Sequence, residues 1–262
     1  MSQLSGYPKV ASLPQAAGPG MVRAVSWKAV YATDLQSYWA LLPVPLLYLA
    51  WRALGGGRSR GGPLPAAAPF VDAYAVAFAI ETLIDPLATG PLSRLLGIAG
   101  TGAATAVMVF FVLLGDFRVY LLVFALLAIA AGRPWRAALP RAAAWTLLVP
   151  LVAYPASAAI GAIRPDADPN TIWLVYESVF VLVALGLRQR LPREAAVEPA
   201  ALRDFLREVL GYVAFYYVLW ATADVLTQLA GLDVGWLLRI VPNQLYYAFW
   251  IPFVVWRFSA RR

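Results

Sequence analysis

Between Arg94 and Arg133 the chain carries only two charges, Asp116 and Arg118, in Gly115-Asp116-Phe117-Arg118 at the centre of an apolar run. A membrane-crossing helix needs about 20 apolar residues at about 1.5 Å rise each. The run is too long for one ordinary crossing and slightly short for two. Whether it is one helix or a hairpin decides the topology of everything around it.

Composition sets the solvent. The 262 residues are 61% hydrophobic and 13% charged, against about 45–50% and about 25% in soluble domains. The chain therefore reads as an all-α, polytopic integral membrane helix bundle. There is no Cys and no His. That excludes disulfides, thiolate nucleophiles, His-based relays and Cys/His metal sites. Any metal would need oxygen ligands, which points to Mg²⁺ or Ca²⁺; no particular cofactor is indicated. The formal charge is +7, mostly Arg at the ends of apolar segments. Such residues orient crossings and meet lipid headgroups, so the expected partner is the bilayer and not nucleic acid.

Residues 1–34 read as a flexible tail, with a short interfacial helix near Trp27-Lys28, and 35–262 as a single transmembrane domain. Crossings are expected at about 35–54 (kinked or broken by Pro43 and Pro45), 70–87, 143–163, 171–187, 209–230 and 236–258. Asp85-Pro86 is expected to end the second of these simply, with a loop over 89–97. The long run supplies one more crossing, or two.

Four features recur in order. Trp39-Ala40-Leu41-Leu42 matches Trp145-Thr146-Leu147-Leu148, each followed by Pro and Tyr. Glu81-Thr82 matches Glu177-Ser178. Leu114-Gly115-Asp116 matches the turn Gly231-Leu232-Asp233, and Trp135-Arg136 matches Trp256-Arg257. This pattern predicts two similar four-helix halves, 35–132 and 143–258, a hairpin at Gly115-Asp116 and 8 transmembrane helices; 7 is the alternative. Basic residues divide 15 to 5 between the two sides with eight crossings and 14 to 5 with seven. Both satisfy the positive-inside rule with a cytoplasmic C-terminus, in what is expected to be the cytoplasmic membrane of a prokaryote. The cost of an unpaired Asp and Arg at mid-bilayer, roughly a few kcal/mol each, favours the hairpin.

Ionisable groups inside the crossings are the candidate site: Glu81, Asp85, Glu177, Asp224 and Arg239, with Asn243 one turn from Arg239. In the duplicated arrangement Glu81 and Glu177 face each other across the central axis, as a proton-coupled carrier or an acid/base pair would require. Asp224 and Arg239 lie at similar depth on either side of the 231–235 turn, which predicts a salt bridge, or an anion site if Arg239 binds substrate. The leading expectation is a transporter or permease-like protein with an acidic intramembrane site and a small-molecule or lipid substrate. The alternatives are an intramembrane enzyme acting on a lipid or isoprenoid, and a non-catalytic subunit of a membrane complex. A homo-oligomer is compatible with each.

Overall fold

The computed structural model describes residues 26–57, 62–168, 170–191 and 200–260. The tail up to residue 25, the middle of the glycine-rich loop and the centre of the 188–208 loop lie outside these.

Every described element is helical. Short helix α1 (Trp27–Tyr31) is followed by α2 (Pro43–Ala53), α3 (Ala68–Leu87), α4 (Gly102–Ala130), α5 (Leu139–Ile163), α6 (Thr171–Arg190), α7 (Ala200–Asp224), α8 (Val234–Asn243) and α9 (Trp250–Ala260). Among the described residues, five segments with their flanking turns are long and apolar enough to cross a membrane: Pro65–Leu95, Gly102–Ala130, Trp135–Ile163, Thr171–Arg190 and Ala200–Leu229. The coarse expectation of a multi-pass helical bundle is met.

The hairpin is not there. Gly115, Asp116 and Arg118 lie inside one continuous helix, α4, and Asp116 is its midpoint, fourteen residues from either end. At about 1.5 Å per residue α4 is roughly 43 Å long, so it must tilt in a hydrocarbon layer of about 30 Å. From Val119 to Leu126 every side chain is buried. A helix apolar all round belongs at the centre of a bundle, and α4 is packed against α3 and α5, with Tyr246 of the last segment on Gly115 and Arg118. It ends on Gly132, whose φ of 70° closes a C-terminal turn with Arg133 N–H donating to the Ala128 carbonyl at 2.8 Å. The matched Gly-Asp features therefore differ: one is mid-helix, whereas Gly231 and Asp233 lie in a turn.

The first and last segments are broken. Chain 34–53 forms a short helix, a 3-10 turn at Trp39–Leu41 and then α2, which begins at Pro43. Proline lacks the N–H that a helix interior needs but fits a first turn. Chain 234–260 breaks at Phe249, so that Pro252 falls in the first turn of α9. Asp85-Pro86, in contrast, does not end its helix. The segment continues to Leu95 through a wider π-helical turn, Ala88–Leu92, and the Thr89 hydroxyl takes up the Asp85 carbonyl at 2.8 Å.

Ion pairs tie the elements near their ends. Arg52 meets Asp72 at 3.0 Å and Arg94 meets Asp34 at 2.8 Å, so the broken first segment runs antiparallel to α3 along its length. Arg257 binds Glu208 through two hydrogen bonds, 2.8 and 2.5 Å, which sets the end of α9 beside the start of α7. At the opposite end α1 docks on α8. Asp233 accepts hydrogen bonds from Trp27 N–H at 2.5 Å, and from Lys28 N–H and the Ser26 hydroxyl at 3.1 Å. Desolvation pushes the Asp233 carboxyl up, but these donors and the Lys28 ammonium outweigh it and hold it below the usual carboxylate range. The last nine residues of the expected tail thus include an anchored helix.

A continuous α4 puts its two flanking loops on opposite faces of the membrane. Single cysteines at Ala99 and Arg133, in a chain with no native Cys, should react with an impermeant maleimide from opposite sides. A hairpin would place both on one side.

Candidate functional site

Two clusters of buried charge occupy the bundle. The larger is centred on α4. Arg118, with 0% of its surface exposed, sends NH1 to Glu81 Oε2 at 3.4 Å and to the Thr82 hydroxyl at 3.3 Å. Its NH2 donates to the Tyr246 carbonyl at 2.6 Å. Its guanidinium also lies over the Tyr246 ring, 4.1 Å from the centroid. A charge at mid-bilayer costs about 2.5–3.5 kcal/mol on insertion scales. A desolvated cation–π contact returns about 2 kcal/mol, and the two charge-assisted hydrogen bonds to Glu81 and the Tyr246 carbonyl offset the remainder.

Asp116 is two residues away and equally buried. Tyr217 donates to its Oδ1 at 2.5 Å and Tyr176 to its Oδ2. Asp85, one turn beyond Glu81, is buried, accepts from the Thr89 hydroxyl at 3.5 Å and neighbours Tyr247. Tyr74 donates to the Arg118 carbonyl at 3.0 Å and accepts from the Trp250 indole at 2.9 Å.

The geometry depends on the break in the last segment. The turn Gln244–Ala248 is π-helical, and Phe249 N–H bonds back to Gln244. A regular helix would have used the Leu245 carbonyl for that bond. The carbonyls of Leu245 and Tyr246 instead accept from the Tyr212 hydroxyl at 2.8 Å and from Arg118. Gly115 admits the Tyr246 ring: a Cβ there would collide with its hydroxyl.

The second cluster lies near the 231–235 turn. Arg239 pairs with Asp224 across the turn, as expected from the sequence, and also reaches Glu177 Oε1 at 3.6 Å. Asn243, one turn on, accepts from the Trp220 indole at 2.8 Å and donates to the Tyr31 hydroxyl at 3.2 Å. It therefore secures α8 to α7 and α1.

Glu81 and Glu177 do not meet. Each lies against its own arginine, and no hydrogen bond or ion pair joins them among the described residues. The two clusters are nevertheless connected through three helices. Tyr176 and Glu177 are adjacent on α6, Tyr217 and Asp224 are two turns apart on α7, and Arg239 and Tyr246 stand two turns apart in the last segment. In each pair one member serves each cluster.

Inside the apolar layer five carboxyls (Glu81, Asp85, Asp116, Glu177 and Asp224) face two guanidiniums. Two can be neutralised by Arg118 and Arg239; the other three need protons or a further cation. Polar atoms in both clusters have no hydrogen-bond partner among the described residues: Glu81 Oε1, Arg118 Nε, and the hydroxyls of Tyr120 and Tyr216 in the first, with Glu177 Oε2, Asp224 Oδ2 and Arg239 Nε in the second. Buried polar atoms are satisfied by protein or ordered water as a rule, so these are the positions where a water or a proton would complete the network. No group of three or more acidic residues is arranged to hold a metal ion among the described residues.

Sequence reasoning placed Asp116 and Arg118 in a hairpin turn and so missed the centre of the site. It also gave no place in the site to Tyr176, Tyr217 and Tyr246. The usable signal was an Asp-x-Arg pair at the midpoint of an apolar run long enough for one tilted helix. The chain matches no protein-family model, no curated protein and no solved structure.

Gly115→Ala tests the close packing of Tyr246. Alanine gains about 1 kcal/mol of helix propensity, but it must displace a buried ring pinned over Arg118, at a cost of about 1–3 kcal/mol. A net loss in thermal unfolding is expected, recovered in part in Gly115→Ala/Tyr246→Phe, since the ring Cζ would still lie 2.7 Å from the new Cβ. No recovery would remove the steric explanation.

Proposed function

We propose that this multi-pass membrane protein is a carrier that couples movement of a small molecule to protons, with its proton sites in the two carboxyl–arginine clusters. The observation that carries this reading is the excess of buried carboxyls over guanidiniums within apolar spans. Keeping such groups in lipid is costly, and proton relays are a principal use for them. The tyrosines between Asp116 and the second cluster supply hydroxyls that can pass a proton between acids too far apart to touch. The π-helical turns at Ala88–Leu92, Val225–Leu229 and Gln244–Ala248 adjoin Asp85, Asp224 and the Tyr246 carbonyl. Broken or widened helices of this kind line the paths of secondary transporters.

The broken segments 34–53 and 234–260 complete seven passes in this reading. Arg52, Arg133, Arg136, Arg141, Arg188, Arg190, Arg203, Arg207 and Arg257 then share one side, with Lys28, Arg94 and Arg164 on the other. The positive-inside rule assigns the first side, and the C-terminus, to the cytoplasm. The proposed pairing of Glu81 with Glu177 as a facing couple is replaced by two acids each set by its own arginine.

The test requires no knowledge of the substrate. Reconstituted protein on a solid-supported membrane is stepped in pH, and the transient current from proton entry is recorded. Wild type should give a transient that Glu81→Gln and Glu177→Gln each reduce several-fold while the folded fraction is unchanged. Absence of a transient, or equal transients in wild type and both variants, would remove the proton-coupled reading.

A further inference from the structure

Residues 26–41 lie at the end of the bundle where the Arg239 cluster comes nearest to water, and they lie there almost without burial. From Ser26 to Ala40 the only buried residue is Gln36. A segment of this kind gains little from the removal of apolar surface from water. It belongs to the part of a fold that opens locally at low cost, the part from which lids are drawn.

Polar and ring contacts hold it instead, and they reach three other segments. At one end the Asp233 carboxylate accepts from Trp27 N–H, Lys28 N–H and the Ser26 hydroxyl. In the middle the Ala40 carbonyl accepts from Gln244 Nε2 at 3.3 Å. On α3 and its continuation, Arg94 pairs with Asp34 at 2.8 Å. The Tyr38 ring fills the notch at Gly90, where a Cβ would collide with it. The segment is also tied to itself: the Ser37 hydroxyl donates to the Tyr31 carbonyl at 3.1 Å, and the Thr33 hydroxyl to the Val30 carbonyl at 2.7 Å.

Tyr31 places this segment over the second cluster. Trp236, Arg239 and Asn243 follow one another on α8 at spacings of three and four, so they share a face. The Tyr31 ring lies 5.2 Å from that of Trp236, and its hydroxyl accepts from Asn243 at 3.2 Å. Tyr31 therefore bridges the turn from which Arg239 departs, and the Arg239 side chain is left 16% exposed. On the far side the gap between α6 and α7 is closed by Gln228 Nε2, which donates to the Asn170 carbonyl at 3.3 Å. Glu177 Oε2, Asp224 Oδ2 and Arg239 Nε lie buried behind these covers without partners among the described residues.

We propose that residues 26–41 are a strap that closes the aqueous approach to the Arg239–Asp224–Glu177 cluster, with Asp233 as its latch. Releasing the latch removes three hydrogen bonds at once and frees α1 from the start of α8, while α7 and α8 keep their own contact through Trp220 and Asn243. The strap then opens without unpacking the bundle. That the access serves a proton rests on the carrier reading; the cover itself is tested without transport.

The test compares purified full-length wild type with Asp233→Ala, both reconstituted in lipid nanodiscs. Each is treated with a water-soluble carbodiimide and glycinamide, and amide formation at Glu177 and at Glu81 is read by peptide mass. Glu177 should react several-fold faster in Asp233→Ala, and Glu81, in the enclosed cluster, at an unchanged rate. Hydrogen exchange measured on the same samples should quicken across 27–41 together and stay unchanged in α4. Equal Glu177 reactivity in the two proteins would overturn the proposal, whether or not exchange in the strap quickens. A matching rise at Glu81 would do the same, because the variant would then have loosened the whole bundle.

Discussion

A guanidinium at the midpoint of an apolar helix is the constraint on which this structure depends. Arg118 cannot reach water from the centre of α4, and it is never deprotonated at ordinary pH. Its neutralisation must come from neighbouring helices, and the neighbours are shaped accordingly. α3 supplies Glu81 and Thr82, and the last segment supplies a backbone carbonyl and the face of an aromatic ring. Gly115 brings that segment close enough for both. The π-helical turn, the break at Phe249 and the glycine are three local departures from regular packing that serve one buried charge.

The same logic separates the two ends of the polar interior. Arg239 lies about 8 Å into the bundle, five residues beyond the start of α8, and retains some exposure. Arg118 has none. The second cluster is therefore the one within reach of the aqueous face, and the first is enclosed. Tyr176 and Tyr217 stand between them with their hydroxyls on Asp116. In the carrier proposed above, these hydroxyls would be the step between the outer cluster and the enclosed one.

Much of the architecture could be read from the chain. Apolar length identified four of the five continuous spans, all but α4, and prolines 43 and 45 marked a broken first segment. The partnership of Asp224 with Arg239 followed from equal depth on either side of one turn. The hairpin failed for a specific reason. Its cost was reckoned for Asp116 and Arg118 as unpaired groups, whereas Arg118 finds partners 37 residues away in Glu81 and 128 away at Tyr246, and Asp116 finds them 60 and 101 away in Tyr176 and Tyr217. Tertiary pairing removed the penalty on which the inference rested. The pairing of Glu81 with Glu177 came from the proposed duplication, and the duplication needed the hairpin. Pro86 was overread as a helix end: it is accommodated inside α3, and the π-helical turn Ala88–Leu92 carries the segment on to Leu95. The tyrosines escaped notice because aromatic residues in a membrane chain signal belts and packing first; only geometry shows which hydroxyls turn inward.

The most direct measurement is the coupling between Glu81 and Arg118. The variants Glu81→Gln, Arg118→Leu and their combination would be unfolded reversibly in bicelles and their free energies compared. If Arg118 is held in the bundle by Glu81, the single losses will exceed the combined one by about 1–3 kcal/mol, because removing both leaves no unpaired charge. Losses that add to within about 0.5 kcal/mol would contradict the pairing, and with it the central place of Arg118.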